Sequence, residues 1–122
     1  MKSPSIIALT LSLFVAGASL AGAHAFLDHA DPKVGSTVNG SPTMVKIWFT
    51  QEPQEALSKI EVFDAKGREV DKKNVKVDST DKTLMSVSVS SLPAGTYKVM
   101  WNAVCPLGHH TTGSFTFEVM SP

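Results

Sequence analysis

Four histidines are the residues of this 122-residue chain best suited to metal chemistry. They form two pairs that are far apart in sequence, His24 with His29 and His109 with His110. Neutral imidazole is a common protein ligand of copper, nickel and zinc. The two pairs therefore predict a transition-metal site if the fold brings them together.

The first 23 residues have the features of a secretory signal peptide. Lys2 supplies a positive charge, and residues 6–20 form an apolar run. The run contains Gly17 and is short for a membrane-spanning helix, which needs about 20 apolar residues. An uncleaved anchor is the alternative. We expect export to an oxidising compartment, with no stable membrane insertion after cleavage.

The cleavage site decides which residue begins the mature protein. Small residues at 21–23 match the A-x-A pattern of a signal peptidase site, and cutting after them exposes His24. The same pattern also fits 23–25, and cutting there exposes Phe26 instead. We expect the first site, which leaves a single domain of residues 24–122.

A histidine at a free amino terminus offers two nitrogen ligands from one residue. The α-amine and the ring Nδ1 of His24 can close a chelate ring around a metal ion, and the α-amine, with a usual pKa of about 8, deprotonates readily. Copper(II) accepts nitrogen donors in square-planar geometry and binds them most strongly in the Irving–Williams order. With one further imidazole, His24 predicts a copper(II) site.

The second imidazole is expected from His109 or His110. Adjacent residues of an extended segment point to opposite sides, so one ion is not expected to bind both. A polar loop with solvated histidines is the alternative for this pair. His29 is a weaker candidate ligand, and a surface histidine is the alternative for it.

Cys105 is the single cysteine, so it forms no internal disulfide. An electron-transfer copper site needs two histidines and a cysteine, but no histidine lies between His29 and Cys105. We therefore expect a buried, packing cysteine. The chain also lacks G-x-S-x-G, H-E-x-x-H and nucleotide-binding motifs, so no catalytic residue is assigned and no enzyme activity is expected.

The charge of the mature chain is nearly balanced. Lys2 is the one charged residue of the first 23, which leaves ten basic and eleven acidic residues. A nucleic-acid-binding protein would need a basic block, and none is present. Nucleic acid is therefore not an expected partner.

The segments that must position these residues have the pattern of short strands separated by turns. Residues 51–58 could hold one helical turn, although Pro53 favours a loop. Six or seven strands at a spacing of about 8–12 residues predict an all-β antiparallel sandwich or Greek-key barrel. Six stretches carry β-forming, mostly alternating residues, at 45–49, 59–63, 75–77, 84–89, 96–101 and 114–119.

Six segments carry a resemblance to a known family: residues 24–27, 31–36, 46–50, 92–99, 101–104 and 109–119. Through them the mature chain resembles the periplasmic copper-resistance protein C family, whose members have a CopC domain. This resemblance implies a seven-stranded Greek-key barrel similar to cupredoxins, and a periplasmic location. We therefore expect residues 24–122 to form a seven-stranded antiparallel Greek-key β-barrel or sandwich, cupredoxin-like or immunoglobulin-like.

The resemblance implies a ligand set for copper(II): the terminal amine, the terminal histidine, an Asp-x-His pair before the final strand, and water. The family histidine falls on His109, and the family aspartate falls on Leu107. Leucine cannot bind a metal. Either His110, Asp28, His29 or water replaces the aspartate, or the copper affinity is lower.

The expected function is non-enzymatic copper(II) binding, by which the protein buffers copper or delivers it to an inner-membrane copper transporter. One alternative is a small copper-dependent oxygenase with an amino-terminal histidine brace, similar to lytic polysaccharide monooxygenases. It predicts ascorbate-driven oxidation by the copper-loaded protein. The other is a metal-free immunoglobulin-like interaction module, which predicts that His24→Ala changes nothing and that copper does not raise the melting temperature.

Overall fold

The computed structural model of the protein describes residues 24–122. The expected signal peptide, residues 1–23, lies outside the described residues. No helix long and apolar enough to cross a bilayer occurs between residues 24 and 122. This part of the chain forms eight strands, β1 (Leu27–Asp31), β2 (Thr37–Asn39), β3 (Met44–Phe49), β4 (Lys59–Phe63), β5 (Lys76–Val77), β6 (Leu84–Ser88), β7 (Gly95–Val104) and β8 (His110–Met120).

The strands form two four-stranded sheets, with the orders β1-β3-β6-β5 and β2-β8-β7-β4. This arrangement confirms the all-β prediction in its sandwich form. Two details of the expectation were wrong. The described residues contain eight strands rather than seven, and β2 pairs with β8 in parallel rather than antiparallel. The chain crosses from one sheet to the other after β1, and such a connection does not impose the antiparallel pairing that a hairpin does.

The core lies between the sheets because alternate residues of each strand point inward. In β3 the inward side chains Val45, Ile47 and Phe49 are buried, while the residues between them are only partly covered. The longest pairing joins β7 to β8 along ten residue pairs. There Gly113 lies opposite Trp101, and a Cβ at position 113 would come within 2.5 Å of the indole ring. Glycine therefore allows the ring to pack directly on the backbone of β8.

The strand registers bring both histidine-bearing segments to one end of the sandwich. β1 begins with Leu27 opposite Phe49, at the end of β3, so residues 24–26 lie beyond that end. The β7–β8 pairing ends with Val104 opposite His110, and its connecting loop lies at the same end. We call this the histidine end; it comprises residues 24–26, 50–58 and 104–111.

Candidate metal centre

The segment 24–26 is fixed against the end of β3 by its backbone and by one buried methyl group. The Thr50 N–H donates to the Phe26 carbonyl at 2.8 Å, and the Phe26 N–H donates to Thr50 Oγ1 at 3.0 Å. The side chain of Ala25 is part of the core and only 1% exposed. The backbone of His24 is therefore held in a defined position beside the end of β3.

His109 is presented by a compact loop between β7 and β8. The Gly108 N–H donates to the Cys105 carbonyl at 2.8 Å, and the Cys105 N–H donates to the His109 carbonyl at 3.0 Å. Gly108 has a φ of +84°, in the left-handed region that favours glycine. The neighbouring loop supports this one, since the Gln54 N–H donates to the Val104 carbonyl at 2.8 Å.

The structure brings the rings of His24 and His109 together. Their centroids are 4.6 Å apart, with an interplanar angle of 62°. Metal–imidazole bonds are about 2.0–2.1 Å long, so two ring nitrogens on one ion lie within about 4.2 Å of each other. A centroid separation of 4.6 Å leaves room for one nitrogen of each ring to lie within this limit. His109 is exposed and His24 is partly covered, so an ion has access to both rings from solvent.

His110 is adjacent in sequence but belongs to the other face of β8. The Thr111 hydroxyl donates to the Ala25 carbonyl, so Thr111 faces the segment that carries His24. Because side chains alternate along β8, His110, the residue before Thr111, belongs to the opposite face. His109 lies just before β8, and its ring contacts His24. The expectation that one ion does not bind both residues stays a prediction.

His29 and Asp28 are engaged with each other and with the outer face of β3. The His29 ring stacks on Trp48, with centroids 4.4 Å apart and an interplanar angle of 9°. Its Nδ1 lies 2.7 Å from Asp28 Oδ2. Between residues 24 and 122, no group of three histidine, cysteine, aspartate or glutamate side chains is arranged to hold a metal ion. The structure thus pairs His24 with His109 and adds no third side chain of these types.

Leu107 and Cys105 lie in the same loop as His109. Leu107, where the resemblance predicts an aspartate, is 78% exposed. Cys105 is 2% exposed, so its expected burial is confirmed. Because residue 107 is leucine, its exposed side chain offers no carboxylate to a metal ion.

Sequence reasoning missed the residues that join these segments, Thr50 and Thr111. Each uses its hydroxyl to bind the backbone of residues 24–26. No motif marks a threonine for such a role. The available signal was weak: Thr111 lies two residues after His109, and so on the same face of an extended segment.

A family model for the CopC domain matches residues 27–120, which is most of the chain. The chain belongs to the CopC domain family. The resemblance expected from the sequence is thereby confirmed. The matched range begins three residues after His24, so the role of that histidine depends on the geometry described above.

Relatives and solved structures agree with this membership. Copper resistance protein C of Pseudomonas syringae pv. tomato is 34% identical over 118 residues, covering 89% of this chain and 93% of the relative. Copper transport protein CutJ of Bacillus subtilis (strain 168) is 29% identical over 115 residues and 93% of this chain, but the chain spans only 21% of CutJ. The crystal structure of CopC from Methylosinus trichosporium OB3b has a TM-score of 0.75 at 28% identity, covering 80% of this chain and 95% of that chain.

Proposed function

We propose that this CopC domain protein binds copper(II) in the periplasm for copper resistance and homeostasis, and that it buffers the ion or delivers it without catalysing a reaction. The observation that carries the proposal is the contact between the rings of His24 and His109. Membership of a family that includes a copper resistance protein supports copper as the ion.

The proposed ligands are three nitrogens from two residues. After cleavage behind Ala23, His24 provides its α-amine and its ring Nδ1, and His109 provides its ring. Water completes the coordination, since the Leu107 side chain has no donor atom. Three nitrogens with water in the fourth position suit copper(II), which favours tetragonal coordination by nitrogen and oxygen.

The packing of Ala25 supports cleavage after Ala23 rather than after Ala25. Its methyl group is buried, and its carbonyl accepts a hydrogen bond from Thr111. Cleavage after Ala25 would remove the core residue Ala25 as well as His24. A protein that begins at His24 keeps every one of these contacts.

Delivery to an inner-membrane copper transporter is the proposed second half of the function. The histidine pair lies at one end of the sandwich with His109 exposed, where a partner protein could approach it. CutJ, which is named a copper transport protein, contains a region similar to this chain within a much longer sequence. This association supports a transporter as the partner.

The test compares the mature protein beginning at His24 with the same protein carrying one additional methionine before it. The additional residue converts the α-amine to an amide and leaves every side chain unchanged. Copper(II) affinity should fall at least about 100-fold, which corresponds to about 2.7 kcal/mol. Electron paramagnetic resonance of the mature protein should show coupling to three nitrogens. Equal affinity of the two proteins would contradict the proposed ligand set.

Two further measurements separate this function from its rivals. The intact mass of the exported protein should correspond to a chain beginning at His24, and a chain beginning at Phe26 or Met1 would remove the proposed site. The copper-loaded protein should not oxidise sugars when ascorbate is supplied. Such oxidation would instead indicate the oxygenase alternative.

A further inference from the structure

We propose that Thr50 and Thr111 are positioning residues for the copper ligands, and that their hydroxyl groups hold the terminal segment so that His24 stays beside His109. The inference rests on the proposed function, because it concerns the same site. It assigns a role to two side chains that bind no metal themselves. Both act through the backbone of residues 24–26.

Thr50 contacts this segment at two places through its hydroxyl group. Its Oγ1 accepts from the Phe26 N–H at 3.0 Å and lies 3.4 Å from the His24 carbonyl, to which it donates. A hydroxyl can donate and accept at the same time. Thr50 therefore bonds on both sides of Ala25, and its own N–H adds a third bond to the Phe26 carbonyl at 2.8 Å.

Thr111 connects the same segment to the strand that follows His109. Its Oγ1 donates to the carbonyl of Ala25, the residue directly after His24. Thr111 is partly covered, and Ala25 is buried. Since Thr111 lies two residues after His109 and Ala25 directly follows His24, this hydrogen bond couples the positions of the two proposed ligand residues.

A terminal residue needs such anchors because chain ends are usually poorly ordered. A ligand that moves freely must be ordered when the ion binds, and that ordering lowers the affinity. Thr50 and Thr111 order the backbone of residues 24–26 before the ion binds. The ring of His24 then already lies beside His109 when copper binds, and the α-amine belongs to the same residue.

The test uses the mature protein with Thr50→Val and Thr111→Val. Valine keeps the branched shape and the β-propensity of threonine but has no hydroxyl. Thr50→Ser and Thr111→Ser keep the hydroxyl and serve as rescue variants. Thr116→Val is the matched control, since Thr116 is an exposed residue further along β8 with its side chain on the outer face.

Each valine variant should weaken copper(II) binding about 10-fold or more, as changes to residues that orient metal ligands usually do. Its electron paramagnetic resonance spectrum should also change, because the terminal amine becomes less firmly bound. The serine variants and Thr116→Val should keep the affinity within about twofold and the spectrum of the wild-type protein. The melting temperature of the metal-free proteins, measured in parallel, reports any general loss of stability.

Wild-type affinity and an unchanged spectrum in both valine variants would overturn the inference. An equal loss in Thr116→Val would do so too, since it would indicate general destabilisation. If a valine variant does not fold, the corresponding alanine variant replaces it and is judged by the same affinity and spectrum. His24→Ala separates the two proposals: if it binds copper normally, the proposed function fails, whereas if it loses copper and the valine variants do not, only the positioning role fails.

Discussion

The two ends of this sandwich are built from different polar groups. At the end opposite the histidines, the Asp64 carboxylate accepts hydrogen bonds from the backbone N–H groups of Lys66 and Arg68, both at 2.9 Å, and from Arg68 Nε at 2.8 Å. The Tyr97 hydroxyl donates to the Pro93 carbonyl at 2.6 Å. At the histidine end, threonine hydroxyls hold the backbone, and the rings of His24 and His109 contact each other.

The pKa values at the opposite end follow from these contacts. The hydrogen bond from the Arg68 backbone, with smaller contributions from the Arg68 side chain and the Lys66 backbone, lowers the pKa of Asp64. Burial raises the pKa of Tyr97. The Asp64 carboxylate and the Tyr97 hydroxyl each stabilise a nearby turn through these hydrogen bonds.

The difference indicates which end can accept an ion. A carboxylate that already accepts three hydrogen bonds would have to lose them before it could bind a metal. In the described part of the chain, no hydrogen bond occupies a ring nitrogen of His24 or His109. The histidine end therefore has ring nitrogens available, while the Asp64 carboxylate at the opposite end already stabilises its own turn.

Among the variants that test this difference between the two ends, His109→Ala should have the largest effect on copper(II) affinity. The variant should lose copper(II) affinity at least about 100-fold, or about 2.7 kcal/mol, because it removes one of the three proposed nitrogens. Cys105→Ala is the matched control in the same loop and should keep the affinity, since Cys105 is buried. Competition titration against a copper chelator measures both. Equal losses would point to a thiolate site instead.

A gain of affinity is expected when the missing carboxylate is supplied. Leu107→Asp places an oxygen donor two residues before His109 and should tighten copper(II) binding about 10-fold, or about 1.4 kcal/mol. Val34→Asp makes the same change of charge at an exposed position in the turn after β1, at the opposite end, and should have no effect. Isothermal titration at matched pH compares the two. A similar gain in both variants would indicate a nonspecific effect of charge.

The smallest effect is expected at the opposite end, from Asp64→Ala. The lowered pKa of Asp64 means that its carboxylate stabilises the folded state above the usual aspartate pKa of about 3.9, and that this contribution is lost as the pH falls through the lowered value. The variant should melt below the wild type at pH 7, and the difference should shrink below about pH 4. Thermal unfolding across this pH range measures it. A copper affinity that changed in Asp64→Ala would show that the two ends are not independent.

Much of the fold was predictable because alternating residues mark half-buried strands. The predicted strand 59–63 coincides with β4, and the stretch 45–49 lies within β3. The predicted strand 114–119 is only part of β8, which begins at His110. The residues from His110 to Gly113 are polar or small and carry no apolar alternation. They are strand because β7 continues beside them and supplies their partners.

The two strands that the sequence pattern did not indicate lie at the edges of the sheets. β1 has the polar sequence Leu-Asp-His-Ala-Asp, and β2 has only three residues. Their pairing partners, β3 and β8, decide their conformation. Such strands depend on long-range pairing, which local propensity does not contain.

Residue types alone predicted a metal site and an all-β fold, from imidazole at both ends of residues 24–122 and from strands with one buried face. These are local properties, set by side-chain composition and a two-residue period. The contact of His109 with His24, the stacking of His29 on Trp48, and the threonine contacts to residues 24–26 depended on the fold. They follow from strand register, which brings together residues more than 80 positions apart.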